Sequence, residues 1–249
     1  MSADWVWVEE LLQVGPISLT AAEVQHIAAR RLRVGDPLVV FDGRGHTADA
    51  RIESLGRHSA VVSVDSIVRA ARSDSKFVLA SAIPKGDRLS TMLQMLSQLG
   101  LESWQPLVLE DSAVRSLDPK AKRLVRMRIE SCKVARRPWL LEVRNPCTLE
   151  EVLLGQPSGA AIFFGDRGAE PSGLEASADL VLIGPEAGFS QSERRKMDDV
   201  GARPRSFGVH NLRIETAAAA ATVAFHLARS RDARVAPTPN AARRDLDGE

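Results

Sequence analysis

"LIGPEAGFSQSE", residues 182–193, closes the apolar run "DLVLI", turns through Gly184, Pro185 and Gly188, and opens a helix at Ser190. Ser190 and Glu193 have the S-x-x-E spacing of a capping box, in which each side chain satisfies a backbone N–H at the helix start. A strand leading through a glycine turn into a helix is the repeating step of an α/β sheet. The same alternation holds outward from this stretch as far back as Lys76. "KFVLASAIP" reads as a strand ended by Pro84, and Leu89, Met92, Leu93, Met95, Leu96 and Leu99 then mark one helical face that stops at Gly100. "WQPLVLE", "AAIFFG" and "PRSFG" read as further strands, "TLEEVLLG" as a short helix and "IETAAAAATVAFHLARSR" as the last helix. Asp118 and Pro119 predict the cap and first turn of another helix, running to about Arg137 with Ala121, Leu124, Val125, Ile129, Cys132 and Ala135 facing inward. A largely parallel sheet is expected for this part.

Residues 1–70 read differently, as short strands and turns: "DPLVVFDGRG" is an apolar run closed by a glycine-rich turn, and "HSAVVSVDSIV" alternates like a strand. The expected organisation is a small β domain over 1–70, a linker in "RAARSDSK" (69–76), an α/β domain over 76–231 and a disordered tail over 232–249. A chain of 249 residues with 44% hydrophobic content has room for two modest domains. Two cysteines without a C-x-x-C spacing, and no secretory leader, lead us to expect a reduced, cytoplasmic protein. No apolar run approaches the roughly 20 residues that cross a bilayer, so no membrane partner is expected.

A formal net charge of +1 argues against a wholesale polyelectrolyte binder. The average conceals residues 115–144, where ten basic side chains face three acidic ones, a local excess of +7. Scattered charges usually coat a solvated face, but this density on one helix points to phosphate contacts, with Arg123, Arg126, Lys133 and Arg137 as candidates. Through residue 70 there are seven basic and nine acidic residues, so any phosphate contact there is local, at Arg31 and its neighbours Arg30 and Arg33. Trp104 and Trp139 are candidates for stacking on bases, with core packing the first reading for Trp104.

The dinucleotide fingerprint G-x-G-x-x-G, the phosphate loop G-x-x-x-x-G-K-[ST] and the zinc helix H-E-x-x-H are all absent from the sequence. What remains is a pair of loops, "GPEAG" (184–188) and "GVHNLR" (208–213), each following a strand and preceding a helix. In open α/β sheets that edge binds ligands. Taken alone, Gly184 and Gly188 are also what a tight turn holding nothing requires.

Together the two loops carry a resemblance. "LIGPEAGFSQSE" followed by "FGVHNLRIETAAAAA" is similar to the paired signature GPEGG-[FLW]-S-x-x-E and LG-x-x-ILR-x-ETA of the ribosomal RNA small-subunit methyltransferase E family, in the SPOUT class. The likeness extends to "VQHIAARRLRVGDPLVVFDGRG" and "KGDRLSTMLQMLSQLG", and so to nearly the whole chain. It implies a PUA-like β-barrel joined to an α/β domain with a C-terminal trefoil knot, a homodimer, and S-adenosylmethionine as cofactor. The run Ala217–Ala221 suits close packing inside a knot, and equally suits a plain helix, since alanine is the best helix former.

By the same resemblance Leu182, Ile183 and Leu212 offer apolar surface and backbone groups to adenine, and Gly184, Pro185, Gly188, Gly208 and Asn211 shape the cofactor loops. Glu186 bonds a ribose hydroxyl or a neighbouring loop. The implied reaction is methylation of uridine N3 in small-subunit ribosomal RNA, free or in the subunit. N3 must lose a proton, and the charge spreads over O2 and O4, where a guanidinium at Arg213 stabilises it. Glu215 is a candidate base, although a glutamate in a first helical turn is also what the helix dipole favours. His210 is a weaker candidate for the same role. A sulfonium donor has a good leaving group, so no metal is expected. Ala187, Val134, Leu141 and Asn211 depart from the family's pattern, and Ala187 disfavours a positive φ. Two alternatives stay open: ribose 2′-O-methylation by a related enzyme, whose S-L-N-V-S segment is absent here, and a non-catalytic RNA-binding protein retaining the fold.

Overall fold

The computed structural model describes residues 3–72, 74–169 and 173–235. Two sheets organise them. The first holds β1 (Asp4–Trp7), β2 (Gly15–Ser18), β3 (Pro37–Phe41), β4 (His46–Leu55), β5 (Ala60–Val64) and β6 (Val68–Arg69), paired in the order β1-β3-β4-β5-β2 with β6 on β4. Every pairing is antiparallel except β1 with β3. Alternation along β4 and β5 turns Ala48, Ala50, Ile52, Val62 and Val64 into a shared core with Val24 and Ile27 of α1 (Ala21–Ala29).

That helix corrects the reading of residues 1–70 as strands and turns only. Thr20 and Glu23 have capping-box spacing, yet Thr20 makes no side-chain cap hydrogen bond. The Glu23 carboxylate instead accepts from Lys133 at 2.6 Å, a residue 110 positions away. The signal was local, and a long-range partner took its acceptor.

The second sheet contains β7 (Val78–Ala82), β8 (Ser103–Val108), β9 (Glu142–Val143), β10 (Cys147–Thr148), β11 (Ala161–Gly165), β12 (Ala178–Ile183) and β13 (Arg203–Arg205). Its order is β10-β8-β7-β12-β11-β13, with β9 on β8, and all its pairings are parallel. Helices α2 (Asp87–Gln98), α3 (Lys122–Ala135), α4 (Leu149–Leu154) and α5 (Gln191–Asp199) connect the strands, and α6 (Ile214–Val235) follows the last of them. Strands buried on both faces read as continuous apolar runs, and β7, β8 and β12 supply Leu79, Ala80, Trp104, Leu107, Leu180, Val181 and Leu182 to one core with Met92, Leu93 and Leu96 of α2. Trp104 is wholly enclosed and donates its Nε1–H to Ser81 Oγ at 2.9 Å, so it packs the core and does not stack on a base.

Two boundaries differ from expectation. α3 starts at Lys122 after Ala121, because the Asp118 carboxylate accepts from Lys120 N at 2.9 Å and closes a turn ahead of the helix. α6 continues to Val235, so residues 232–235 of the expected tail are helical, and 236–249 lie outside the described residues. Ala218 and Ala221 are fully buried where α6 lies against β7, β12 and α2. Among the described residues no helix is long and apolar enough to cross a membrane.

A candidate cofactor cleft and RNA face

Because β7, β12, β11 and β13 run parallel and side by side, the loops leaving their carboxyl ends emerge along one edge. There the loops after β11, β12 and β13 line an open cleft. Gly184, Pro185, Glu186 and Gly188 line it from the loop after β12, and Gly208, His210, Asn211 and Leu212 from the loop after β13. Ile183 and Ala217 complete the apolar part. Leu182 is the exception among the expected cofactor residues: its side chain is fully buried in the sheet core and does not reach the cleft.

The loop after β12 closes on itself. Gly188 N donates to Pro185 O at 2.8 Å, and Gly188 has φ +83°, where a side chain is strained. Ala187 is not among the residues with positive φ, so its departure from glycine is accommodated without strain. A Cβ on Gly184 would approach Phe189 at 3.2 Å, and one on Gly208 would approach Leu212 at 3.1 Å, so both glycines permit close packing within the loop walls. Ser190 and Glu193 form the capping box expected of them. Glu193 also accepts from Glu110 N at 2.9 Å, which ties the start of α5 to the loop after β8.

Sequence reading missed the third wall. Gly165, Asp166 and Arg167 follow β11 and line the cleft, as do Arg205, Ser206 and Phe207 after β13. Asp166 accepts from Arg194 at 2.6 Å and from Gly168 N at 2.8 Å, and the Arg194 guanidinium holds its carboxyl below the usual range. The signal was available: "AAIFFG" was read as a strand, and the residues at its carboxyl end belong to the same edge.

Glu186 and Glu215 meet at a shared cation that the sequence did not single out. Arg88 Nη1 donates to Glu186 Oε1 at 2.5 Å and lies 4.0 Å from Glu215 Oε2. Arg88 is the chief cause of a lowered Glu186 pKa, and Arg213 contributes in the same direction. Arg213 is exposed and its carbonyl accepts from Ala217 N at 2.9 Å, which places it at the mouth of α6. Neither Arg213 nor Glu215 lines the cleft wall itself. The Glu215 side chain is 10% exposed, and its Oε2 is buried with no hydrogen-bond partner. A buried acceptor left open is uncommon and points to a missing donor.

The basic segment divides. Arg123 and Arg126 are exposed on α3, and Arg31 is exposed just beyond α1. Lys133 is withdrawn: its side chain is 6% exposed and pairs with Glu23 at 2.6 Å and Glu130 at 2.9 Å. Arg137 is likewise turned inward, donating to Ser97 O at 3.2 Å, and Arg128 donates to Leu141 O and Pro119 O. These three are structural cations, so the expectation of phosphate contacts by Lys133 and Arg137 is corrected. Trp139 is half-buried over Gly45, with the Arg72 guanidinium 5.4 Å from its ring centroid.

Comparison with known proteins agrees with this layout. A family model described as an RNA methyltransferase domain matches residues 71–226, and one described as an RNA methyltransferase PUA domain matches residues 19–65. A curated relative, the ribosomal RNA small subunit methyltransferase E of Synechocystis sp., is 27% identical over 81% of this chain and 69% of its own. The protein of the same name from Aquifex aeolicus is 25% identical over 80% of this chain and 89% of its own. The solved structure of a ribosomal RNA small subunit methyltransferase E from Neisseria gonorrhoeae, bound to S-adenosyl methionine, superposes with a TM-score of 0.77 at 26% identity, covering 91% of this chain and 98% of that one. A structure from Porphyromonas gingivalis reaches 0.79 at 28% identity, covering 92% and 99%. With both of its domains matched in this order, the chain belongs to the RNA methyltransferase family of the ribosomal RNA small subunit methyltransferase E proteins.

Proposed function

We propose that this protein transfers a methyl group from S-adenosylmethionine to N3 of a uridine in small-subunit ribosomal RNA. The observation that carries the reading is the meeting of both signature loops on one cleft, with Arg213 and Glu215 beside it. The cleft fits the cofactor in its lining: glycine-permitted backbone from the loop after β12, and apolar surface from Ile183, Phe207 and Leu212. When bound, S-adenosylmethionine supplies an electrophilic methyl on a sulfonium. The protein's own task is to ionise and hold the acceptor. Glu215 takes the N3 proton; its Oε2 makes no hydrogen bond and lies 4.0 Å from the Arg88 guanidinium. Arg213 stabilises the charge that spreads to O2 and O4, and most of the remaining acceleration comes from holding N3 in line with the methyl carbon. N3 is inaccessible inside a base pair, so the target uridine is unpaired or flipped out.

Arg123, Arg126 and Arg31 contact phosphates, and the site of action is the cytoplasm, where ribosomal RNA is modified. The reading includes the trefoil knot and a homodimer. Support for the dimer comes from α6, where Val223 and Leu227 are exposed beside the half-exposed Ala220 and Ala224, and from the exposed Val209 in the neighbouring loop. Sedimentation of the wild type and Leu227→Asp tests it, a monomeric wild type being the adverse result.

The deciding experiment is nucleoside mass spectrometry of unmethylated small-subunit RNA, free and in subunits, after incubation with isotope-labelled S-adenosylmethionine. Labelled N3-methyluridine is expected. A label on ribose moves the activity to the 2′-O class, and bound RNA without label identifies a non-catalytic binder.

A further inference from the structure

Arg88 is the second residue of α2 and follows β7, the strand that lies directly beside β12. That adjacency brings its guanidinium to the loop after β12, although Arg88 and Glu186 are 98 residues apart in sequence. One nitrogen, Nη1, serves two carboxylates: Glu186 Oε1 at 2.5 Å and Glu215 Oε2 at 4.0 Å. Its neighbour Asp87 is drawn the other way, toward Arg123 at 3.4 Å. A single exposed ion pair contributes little. This one differs in joining three segments of the proposed active site, and in having one partner, Glu215, that is nearly buried with an unsatisfied oxygen. A guanidinium has five donors in a rigid fork, so it can hold one carboxylate while facing a second.

We propose that Arg88 is a positioning residue of the methyl-transfer site, acting through Glu186 on the cofactor loop and through Glu215 on the acceptor base. The pair with Glu186 holds the turn 185–188 in place against the cleft. The longer contact, to Glu215 Oε2 itself, orients that carboxylate at a distance too long for a hydrogen bond. The Glu215 half of the proposal rests on the methyl-transfer reading, whereas the Glu186 half is read by cofactor binding alone.

The test is a double-mutant cycle on S-adenosylmethionine affinity, measured by calorimetry with the full chain. Arg88→Met and Glu186→Gln are each expected to weaken binding about tenfold, the low end for one charged hydrogen bond. The double variant is expected to be no weaker than either single one, because both remove the same interaction. Independent losses that multiply to about a hundredfold overturn the coupling. Arg88→Lys keeps a point charge for Glu186 and loses the fork, so its cofactor Kd is expected within about threefold of wild type while kcat on RNA falls at least about tenfold. Equal changes in both quantities, or none in kcat, overturn the role at Glu215, and thermal melts of each variant exclude simple unfolding. Wild-type protein that binds cofactor but labels no RNA overturns the methyl-transfer reading and leaves the calorimetric cycle standing as the test of Arg88. Labelled RNA with an additive cycle overturns Arg88 alone.

Discussion

Arg213 sits where the last helix begins, exposed, and near enough to Glu186 to help hold its carboxyl in the charged form. Replacing it by alanine leaves the cleft walls intact, so S-adenosylmethionine affinity is expected to change little, while turnover on RNA falls about 10²–10³-fold, the usual loss for one charge-stabilising donor. Single-turnover kinetics with labelled cofactor checks this, and undiminished turnover removes Arg213 from the mechanism. His226 carries a different prediction. It is half-buried on α6 with Nε2 unpartnered, and burial, Arg137 and Arg229 all push its pKa down, against weaker opposing effects of the Leu99 backbone and Glu102. A histidine whose folded pKa lies below its unfolded value of about 6.5 binds more protons when unfolded, so stability is full above that value and declines as pH falls through it. Thermal melts are expected to show a drop between about pH 7.5 and 5.5 that is smaller in His226→Leu; an equal drop in both assigns acid sensitivity elsewhere. At this scale the sequence was informative about backbone: Gly188 stands at positive φ as a glycine turn demands, and every expected cofactor residue except Leu182 lines the cleft. It was silent about Arg88, whose type and position are those of any charge in a first helical turn.

At the scale of elements, periodicity located α2, α5 and α6 and the strands β7, β8, β11 and β12, because apolar spacing and caps are local properties. It missed α1, a helix of nine residues whose Thr20 makes no side-chain cap hydrogen bond and whose Glu23 pairs with Lys133 of the other domain. On α3 the inward set was legible in part: Leu124, Ile129 and Cys132 are buried as expected, while Ser131 joins them and Ala121, Val125 and Ala135 are only half-buried. The charge count of the segment was correct, but its direction was not legible, since a long cationic side chain can reach inward to carbonyls and carboxylates as readily as outward. The consequence is testable on α3. Reversing Arg123 and Arg126 to glutamate is expected to weaken RNA binding and to flatten its salt dependence, the log–log slope becoming shallower by about 0.7–0.9 for each phosphate that an arginine no longer neutralises. Filter binding from low to moderate salt measures this, and an unchanged slope means that these two arginines face only solvent.

At the scale of the whole molecule, the two domains meet along a seam with an apolar centre. Phe41, Trp5 and Trp7 of the first sheet pack with Val125, Ile129, Cys132 and Leu140. Gly45 N donates to Pro138 O at 3.0 Å, Leu140 N donates to Gly43 O at 2.9 Å, and a Cβ on Gly45 would lie 2.2 Å from the Trp139 ring. The Lys133–Glu23 pair closes the seam with side chains 6% and 3% exposed. Removing one member of a buried pair costs about 3–5 kcal/mol, whereas removing both charges together costs much less. Lys133→Met is therefore expected to lower the melting temperature by several degrees, and Lys133→Met with Glu23→Gln to recover most of the loss. Calorimetric melts decide it; an additive double variant means the pair is not a coupled unit. The sequence by itself determined the two-part organisation, the α/β alternation, the turn 184–188 and the excess positive charge around α3, because each follows from local spacing, composition or backbone freedom. Only the tertiary structure decided which loops share the cleft, that Arg88 bridges Glu186 and Glu215, and that Lys133 and Arg137 serve the interior. Strand order and side-chain direction set those, and both depend on pairings between residues far apart in the chain, 98 positions for Arg88 with Glu186 and 110 for Lys133 with Glu23.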